Sequence, residues 1–565
     1  MDSVNVLVEA RAALRAASYP LRLPGAAAAR ESAGALLAQI DDYLVPRLRR
    51  LDGPLVAVVG GSTGAGKSTL VNSLVRAPIC PAGVLRPTTR APLLVGHPVD
   101  TAWFRDRSLL PRLARGGPDP GGDDGRADRT LAPPTHLHIV NTPQLPPGLA
   151  LIDAPDIDSV VAANRVLARE LLAAADLWLF LTTAARYADA VPWRQLREAR
   201  RRGTMVAIVL DRVPPQARDE VSIHFARMLG SQGLGETGLF VVAESTPDHH
   251  GLLPDVDIAP IRRWLNTVAG SPVHRDRVLR RTLIGAMVAA GSTVETLADA
   301  ADDQTDGATA LAATTQAAFH AALCDVDAGL RRGAMLRGEV YSRWRDLVAS
   351  GELRRAVRAR AGRLEVRSGR AEHPPSGRRL LSALARAVAA RVSEADLTAT
   401  RHCREAWTAD PAGRALLAAE PTLGRPWPGF TDAAHDLVHD WSTRLRVSIR
   451  RQGGPRTRTR SLESAATLLL VTIAAVAPPA ADVTAEGVGP DLLRAILDDE
   501  HVQALAEQAR ADLLGRIHGL FAVEIQRHLA PLAWVDGDLG PRLRTVAARL
   551  RDAGRHLAAR GEDAA

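Results

Sequence analysis

Apolar residues near the N-terminus recur every three to four positions, which is the spacing of amphipathic helices. Leu7 and Leu14 mark one such segment, and Leu36 and Leu44 mark the next. Prolines lie between the two segments and are expected to separate two helices. Residues 1–50 are therefore predicted to be N-terminal helices that join a helical bundle.

From residue 51 to 270, apolar runs of strand length alternate with helical stretches. The strand candidates are 55–59, 149–152, 177–181, 206–210 and 239–242. This alternation is typical of a mostly parallel sheet covered by helices, so an α/β domain is predicted here. A stretch rich in Gly, Pro and Asp interrupts the pattern, and it predicts a mobile surface insertion near 105–134.

From residue 271 to 565, strand patterns give way to segments of helical period that are rich in Ala, Leu and Arg. They predict a large all-α bundle or stalk. Within it, residues 465–477 carry no charge, and as a helix this run would span about 20 Å. That is short of the ~30 Å hydrocarbon core of a bilayer.

Seven arginines between positions 444 and 460 precede this apolar run. Two interpretations follow for the apolar tip near 464–481. In the first, the apolar segment inserts into the interface of an anionic membrane, because neighbouring basic residues bind the lipid headgroups. In the second, it is a buried helix of the bundle.

Composition and charge narrow the function classes. The chain has 565 residues, 46% hydrophobic and 24% charged, which is a globular composition for several domains. Three widely spaced cysteines suit a reducing compartment, and the first residues lack a secretory pattern, so a cytoplasmic location is expected. The net charge of +8 favours anionic partners. The arginine-rich stretch 354–379 lacks aromatic residues for base stacking, which argues against nucleic acid as that partner.

The lysine content is the most unusual part of the composition. Of the 71 Lys and Arg residues, one is a lysine, Lys67. An average soluble chain counts lysine among its commonest residues. The position of Lys67 therefore points to a site that needs a compact ammonium rather than a planar guanidinium.

Lys67 lies in a phosphate-loop motif. Residues 61–68 read GSTGAGKS and fit G-x-x-x-x-G-K-[ST], with a predicted strand before them and an amphipathic helix after them. In such a loop the backbone amides face phosphate oxygens, Lys67 reaches the β- and γ-phosphates, and Ser68 ligates Mg²⁺. The predicted nucleotide-binding residues are Gly61, Ser62, Thr63, Gly64, Ala65, Gly66, Lys67, Ser68 and Thr69.

Two further motifs resemble those of dynamin-like GTPases. Residues 89–92 read Thr-Arg-Ala-Pro and resemble the T-R-R-P of the first switch in that family. The resemblance implies that Thr89 ligates Mg²⁺ and holds the catalytic water through its carbonyl; a proline-bounded turn is the alternative. Asp153 ends a strand at the D-x-x-G position and is placed to hold Mg²⁺ through water. Asp156 stands where the family has glycine, and Ile157 stands where many small GTPases carry a water-orienting glutamine.

The base-recognition motif departs furthest from the family. At the position where the family has [NT]-K-x-D, this chain has Asp211-Arg212-Val213-Pro214. Pro214 has no carboxylate to bind guanine. Asp211 and Arg212 are predicted to flank the base. The resemblance implies GTP as the substrate, and ATP stays open.

The chain thus resembles the bacterial dynamin-like GTPase family. The resemblance implies an α/β P-loop NTPase with a G-domain-like sheet and a large all-α region, which hydrolyses GTP with Mg²⁺ to drive conformational change or assembly. It also implies an anionic membrane surface, at the inner face of the cell membrane, and self-assembly or a related NTPase as partners. The alternatives are a soluble regulatory P-loop ATPase and a nucleotide-binding scaffold, acting on a protein or nucleic-acid partner.

Overall fold

A computed structural model describes residues 3–80, 91–105, 109–116, 136–159, 161–350, 357–360, 363–366, 375–452, 465–476 and 500–562. Several predicted features lie partly or wholly outside these ranges. They are the first-switch residue Thr89, most of the insertion near 105–134, parts of the arginine-rich stretches 354–379 and 444–460, and the parts of the apolar tip outside 465–476.

The described strands include all five that the sequence predicted. They are β1 (Leu55–Gly61), β2 (Leu93–Gly96), β3 (Ala114–Gly116), β4 (His136–Asn141), β5 (Leu149–Asp153), β6 (Leu177–Thr183), β7 (Met205–Val213), β8 (Gly238–Ala243), β9 (Val357–Arg360) and β10 (Arg363–Val366). The prediction of an α/β P-loop fold with a mostly parallel sheet and a large helical region is confirmed. The short hairpin of β9 and β10 was not predicted.

Helices make up most of the remaining described chain. They are α1 (Ser3–Ala16), α2 (Ala26–Gln39), α3 (Val45–Arg49), α4 (Lys67–Val75), α5 (Thr101–Arg105), α6 (Ala162–Ala173), α7 (Ala190–Arg201), α8 (Arg218–Ser231), α9 (Asp255–Gly270), α10 (Pro272–Arg331), α11 (Gly338–Ala349), α12 (Pro375–Ala409), α13 (Pro411–Ala419), α14 (Phe430–Gln452), α15 (Ala465–Val476), α16 (Glu500–Leu529) and α17 (Leu539–Glu562). A π-helical turn, Ile40–Leu44, joins α2 to α3.

The eight-stranded sheet has the order β3-β4-β2-β5-β1-β6-β7-β8. Strands β2 and β5 are antiparallel, whereas every other pair of neighbours is parallel. All residues of β1, β5 and β6 are buried, as expected of central strands covered on both faces. The carboxyl ends of β1 and β5 lie side by side, because Val59 pairs with Asp153. The loop after β1 therefore begins beside the aspartate that ends β5.

The chain forms two compact units. The first comprises Met1–Tyr19, Ala27–Asp302 and Gly537–Ala565, and the second comprises Pro20–Ala26 and Asp303–Asp536. The first unit holds the eight-stranded sheet, and in it α1 packs against α17 with an ion pair between Glu9 and Arg549. The domain ranges 1–50, 51–270 and 271–565 stay a prediction.

The second unit is a helical bundle around one large apolar core. Phe319, Trp344, Phe430, Trp441 and Phe521 contribute the largest of its buried side chains. Helix α15 carries most of the uncharged run, and its described side chains from Val471 to Val476 are at most 7% exposed. In the part of the chain that the structure describes, this run is a core helix of the bundle, which matches the second of its two interpretations. Within those same ranges, no helix has both the length and the apolarity to cross a membrane.

Candidate phosphate-binding site

The phosphate loop connects β1 to α4 in the first unit, and two of its glycines are required by its geometry. A Cβ at Gly61 would lie 2.2 Å from the Leu181 carbonyl oxygen on β6, so a side chain there would force the two strands apart. Gly66 has φ +94° and precedes the first residue of α4, a conformation that other residues rarely adopt. Ser62, Thr63, Gly64 and Ala65 form the turn between them, and Thr69 lies in the first turn of α4.

Lys67 begins α4 and lies almost wholly inside the site. Its side chain is 6% exposed, and Nζ donates to the carbonyl oxygens of Gly61 at 3.1 Å and Ser62 at 3.2 Å. The third partner of Nζ is the carboxylate of Asp156. The residue that replaces the family's glycine thus neutralises the ammonium that is predicted to bind phosphate.

Asp153 and Ser68 form the predicted metal-binding pair. Ser68 Oγ donates to Asp153 Oδ2 at 2.7 Å. Asp153 Oδ1 is buried, and among the described residues no nitrogen or hydroxyl group donates a hydrogen bond to it. Burial raises the pKa of this carboxyl, while the Ser68 hydroxyl, Lys67 and the Cys80 thiol act to lower it. A hydroxyl beside a buried carboxylate with an unused oxygen fits a hard divalent cation such as Mg²⁺.

Asp158, in the segment that follows β5, also contacts the phosphate loop directly. Asp158 Oδ1 accepts hydrogen bonds from the Thr63 backbone N at 2.6 Å and from Thr63 Oγ1 at 2.7 Å. Arg186, from the turn after β6, donates through Nη1 to the Thr63 carbonyl oxygen at 3.1 Å and lies 3.5 Å from Asp158 Oδ2. A carboxylate and a guanidinium therefore meet at the third residue of the loop.

The predicted base-binding residues lie at the end of β7, next to the loop. Asp211 is 6% exposed, and its Oδ2 would be 3.1 Å from a Cβ placed on Gly66. Burial raises the pKa of Asp211, and hydrogen bonding to the Arg212 backbone N lowers it. Arg212 has φ +55° and an exposed side chain. The structure thus brings Asp211 against the phosphate loop, whereas Arg212 faces solvent.

Comparison with known proteins gives matches at the level of solved structures. No protein-family model and no curated protein matches the sequence. The chain matches a structure of an oligomerised bacterial dynamin pair with 10% sequence identity and a TM-score of 0.43, covering 96% of each chain. The LeoA bacterial dynamin GTPase from ETEC matches with 12% identity and a TM-score of 0.23, covering 99% of this chain and 95% of that chain.

The chain is similar to bacterial dynamins. The motifs of its sequence resemble the same group of proteins.

Sequence reasoning missed two residues of the site. Asp158 and Arg186 are 95 and 123 positions away from Thr63 along the chain, and neither belongs to a motif that places it at the loop. The sequence signal that could have identified Asp158 is the close spacing of acidic residues at and after the end of β5, where Asp153 and Asp156 are followed by Asp158.

Proposed function

We propose that this chain is a Mg²⁺-dependent P-loop nucleoside triphosphatase that hydrolyses GTP. The observation that carries the proposal is the juxtaposition at the ends of β1 and β5. A phosphate loop with its lysine at the start of α4 lies beside Asp153, which is buried, hydrogen-bonded to Ser68 and has one unused oxygen. Phosphoryl transfer needs this combination, because the protein acts mainly by positioning and by neutralising charge.

Each part of the loop has a role in that reaction. Backbone amides of the loop and the Lys67 ammonium bind the β- and γ-phosphates, and the amino end of α4 adds positive potential. Ser68 and Asp153 would hold Mg²⁺, with Thr89 as the further ligand that the motif resemblance implies. The bound cation would supply positive charge against the oxygens of the transferred phosphate. Water attacks the γ-phosphorus in line with the leaving diphosphate.

Nucleotide binding must replace an existing contact. Lys67 is paired with Asp156, so an incoming phosphate competes with a carboxylate for the same ammonium. Asp156 belongs to the segment after β5, and its displacement would couple phosphate binding to movement of that segment. We infer that this coupling drives the conformational change of a dynamin-like protein.

GTP is the proposed substrate because the motifs resemble those of GTPases, and Asp211 and Arg212 are proposed to flank the base. The Asp211 carboxylate lies beside Gly66, where a built Cβ would be 3.1 Å from Oδ2, and this proximity supports a role for Asp211 next to the loop. ATP is the competing substrate, and direct comparison of the two nucleotides separates them.

Titration calorimetry with GTP and with ATP, in Mg²⁺ and in EDTA, tests the proposal, followed by measurement of phosphate release. We expect Mg²⁺-dependent binding that is tighter for GTP, and slow release of phosphate. Lys67→Ala should weaken binding at least about a hundredfold, roughly 2.7 kcal/mol. Arg263→Ala, an exposed cation on α9, is the matched control and should bind normally. Absence of binding to either nucleotide, or normal binding by Lys67→Ala, would contradict the proposal.

We also propose peripheral contact with an anionic membrane, with self-assembly as the accompanying association. Arg444 and Arg446 on α14 are exposed, and they begin the arginine-rich segment that precedes the apolar run. Because α15 is packed in the bundle core, this contact would be electrostatic rather than insertion of an apolar helix. Flotation with anionic vesicles should recover the protein at low salt and lose it at high salt. Equal recovery with neutral vesicles would contradict an electrostatic contact.

A further inference from the structure

Arg186 lies at an unusual place for a half-exposed arginine. It follows β6, the strand next to β1, and its backbone N donates to the Thr183 carbonyl oxygen at 2.9 Å, which fixes the turn at the end of that strand. From this turn the guanidinium reaches the carbonyl of Thr63, the third residue of the phosphate loop. The side chain is 45% exposed, so its polar contacts, rather than burial in an apolar core, set its position.

We propose that Arg186 is a catalytic arginine that contacts the γ-phosphate of the bound nucleotide. This inference rests on the proposed function and names a residue for the same reaction. The loop residues up to Lys67 wrap the β- and γ-phosphates, so a guanidinium at Thr63 is close to the terminal phosphate. Arginine fits that position because its planar fork can donate two hydrogen bonds to phosphate oxygens at once.

The chemistry of the site leaves a role for such a group. Ile157 stands where many small GTPases carry a water-orienting glutamine, and it is 5% exposed and apolar. Charge on the departing diphosphate must then be neutralised by cations. An arginine supplied within the same chain provides that neutralisation in some GTPases, and it raises kcat by a factor of about 10³ or more.

The reaction balances without a change in the charge of Arg186. A water oxygen forms a bond to the γ-phosphorus, the bond from the γ-phosphorus to the bridging oxygen breaks, and its electron pair stays on the diphosphate. The proton of the attacking water goes to the released phosphate. Arg186 stays protonated throughout and only donates hydrogen bonds to oxygens whose negative charge increases.

Asp158 holds Arg186 at the loop before nucleotide binds. Its Oδ2 lies 3.5 Å from the guanidinium, while its Oδ1 accepts both hydrogen bonds from Thr63. Asp189, 3.4 Å from Arg186 Nε, is the second carboxylate near the guanidinium. When phosphate oxygens enter, they compete with Asp158 for the guanidinium, as they compete with Asp156 for Lys67.

Steady-state hydrolysis of the preferred triphosphate by the full chain tests the inference. Arg186→Ala should lower kcat about 10³-fold, while KM and the affinity for the diphosphate change less than about tenfold. Arg186→Lys should recover little, because an ammonium lacks the planar fork. Arg197→Ala on α7, an exposed arginine away from the loop, is the control and should keep wild-type kcat.

A second variant separates catalysis from positioning. Asp158→Asn keeps an oxygen for Thr63 but removes the charge that holds the guanidinium, so it should raise rather than lower kcat. Binding of the diphosphate with aluminium fluoride, which mimics the transferred phosphate, should be lost in Arg186→Ala and kept in Asp158→Asn. Equal losses of kcat in both variants, or tight binding of this mimic by Arg186→Ala, would overturn the inference. Absence of hydrolysis by the wild type would instead contradict the proposed function itself.

Discussion

Two buried cation–carboxylate pairs lie at opposite ends of the same central strands. At the amino ends of β1 and β6, Arg47 pairs with Asp176, and both side chains are fully buried. At the carboxyl end, Lys67 pairs with Asp156, with the side chains 6% and 22% exposed. Both pairs are close contacts of opposite charges, yet the surroundings of the two carboxylates differ.

The Asp176 carboxylate is saturated with donors. Besides Arg47, it accepts from the Val56 backbone N at 2.7 Å and from the Tyr43 hydroxyl at 3.0 Å. Arg47 in turn lies 4.9 Å from the centre of the Trp103 ring. Among the described residues, Asp156 has one donor, Lys67. A carboxylate held by three donors is part of the folded core, whereas a carboxylate with a single donor can be exchanged for another anion.

The largest expected effect is on thermal stability, and it comes from breaking the Arg47–Asp176 pair. Asp176→Asn leaves the Arg47 guanidinium buried without a counter-charge, which typically costs about 3–5 kcal/mol. Thermal unfolding followed by circular dichroism should show a strongly lowered Tm, while Asp156→Asn should leave Tm nearly unchanged. Similar Tm values for the two variants would remove the distinction between the pairs.

A third buried carboxyl sharpens the comparison, because within the described ranges its oxygens have no hydrogen-bond partner. Asp396 on α12 is fully buried, and neither oxygen has a hydrogen bond within the described chain. Burial and then the Glu524 carboxylate raise its pKa to about 8, whereas Arg527 lowers it. The nearby Cys403 thiol also has a raised pKa, about 11, chiefly through burial.

The stability of the fold should depend on pH, because the folded chain binds the Asp396 proton more tightly than the unfolded chain does. The unfolded chain releases this proton near the ordinary value of 3.8, and the folded chain keeps it until about 8. Stability therefore falls as pH rises through this window, by at most about 1.4 kcal/mol per pH unit. Thermal unfolding of the full chain at pH 5 and 8 should show this fall, and Asp396→Asn should reduce it. An unchanged pH slope in the variant would contradict the assignment.

The smallest expected effect concerns the exchangeable pair. Asp156→Asn removes the charge that competes with phosphate for Lys67, so nucleotide should bind up to about tenfold more tightly, or 1.4 kcal/mol. Calorimetry with the diphosphate and the triphosphate measures the change. Asp276→Asn breaks a partly buried pair with Arg280 elsewhere in the same unit and serves as the control. Weaker binding by Asp156→Asn would show that the carboxylate supports the loop rather than blocking it.

Local patterns were enough to predict the core of the fold and of the phosphate loop. Strands such as β1 and β6 are continuous apolar runs, and the loop motif carries its spacing in eight adjacent residues. The contacts of Asp158 and Arg186 were not predictable in this way. They join turns at the ends of β5 and β6 to the loop, and sequence spacing does not encode which turns meet at a sheet edge.

The uncharged run shows a different limit of pattern reasoning. An apolar helix in a bundle core and an apolar segment at a membrane bury the same side chains from water, so hydropathy does not separate them. The contacts of the run in the structure distinguish these two interpretations. Arg510 on α16 donates to the carbonyl oxygens of Ala474 and Ala475, which ties the end of α15 into the bundle.

The single lysine of these 565 residues has a consequence for chemical modification. An acyl group or a ubiquitin on a lysine side chain of this sequence can only be attached at Lys67. Acylation would abolish the ammonium charge at the start of α4, and the 6% exposure of the side chain makes its attachment slow. Mass spectrometry after treatment with an amine-reactive reagent would therefore report on one side-chain amine, and the proposed nucleotide should protect it in the unmutated protein.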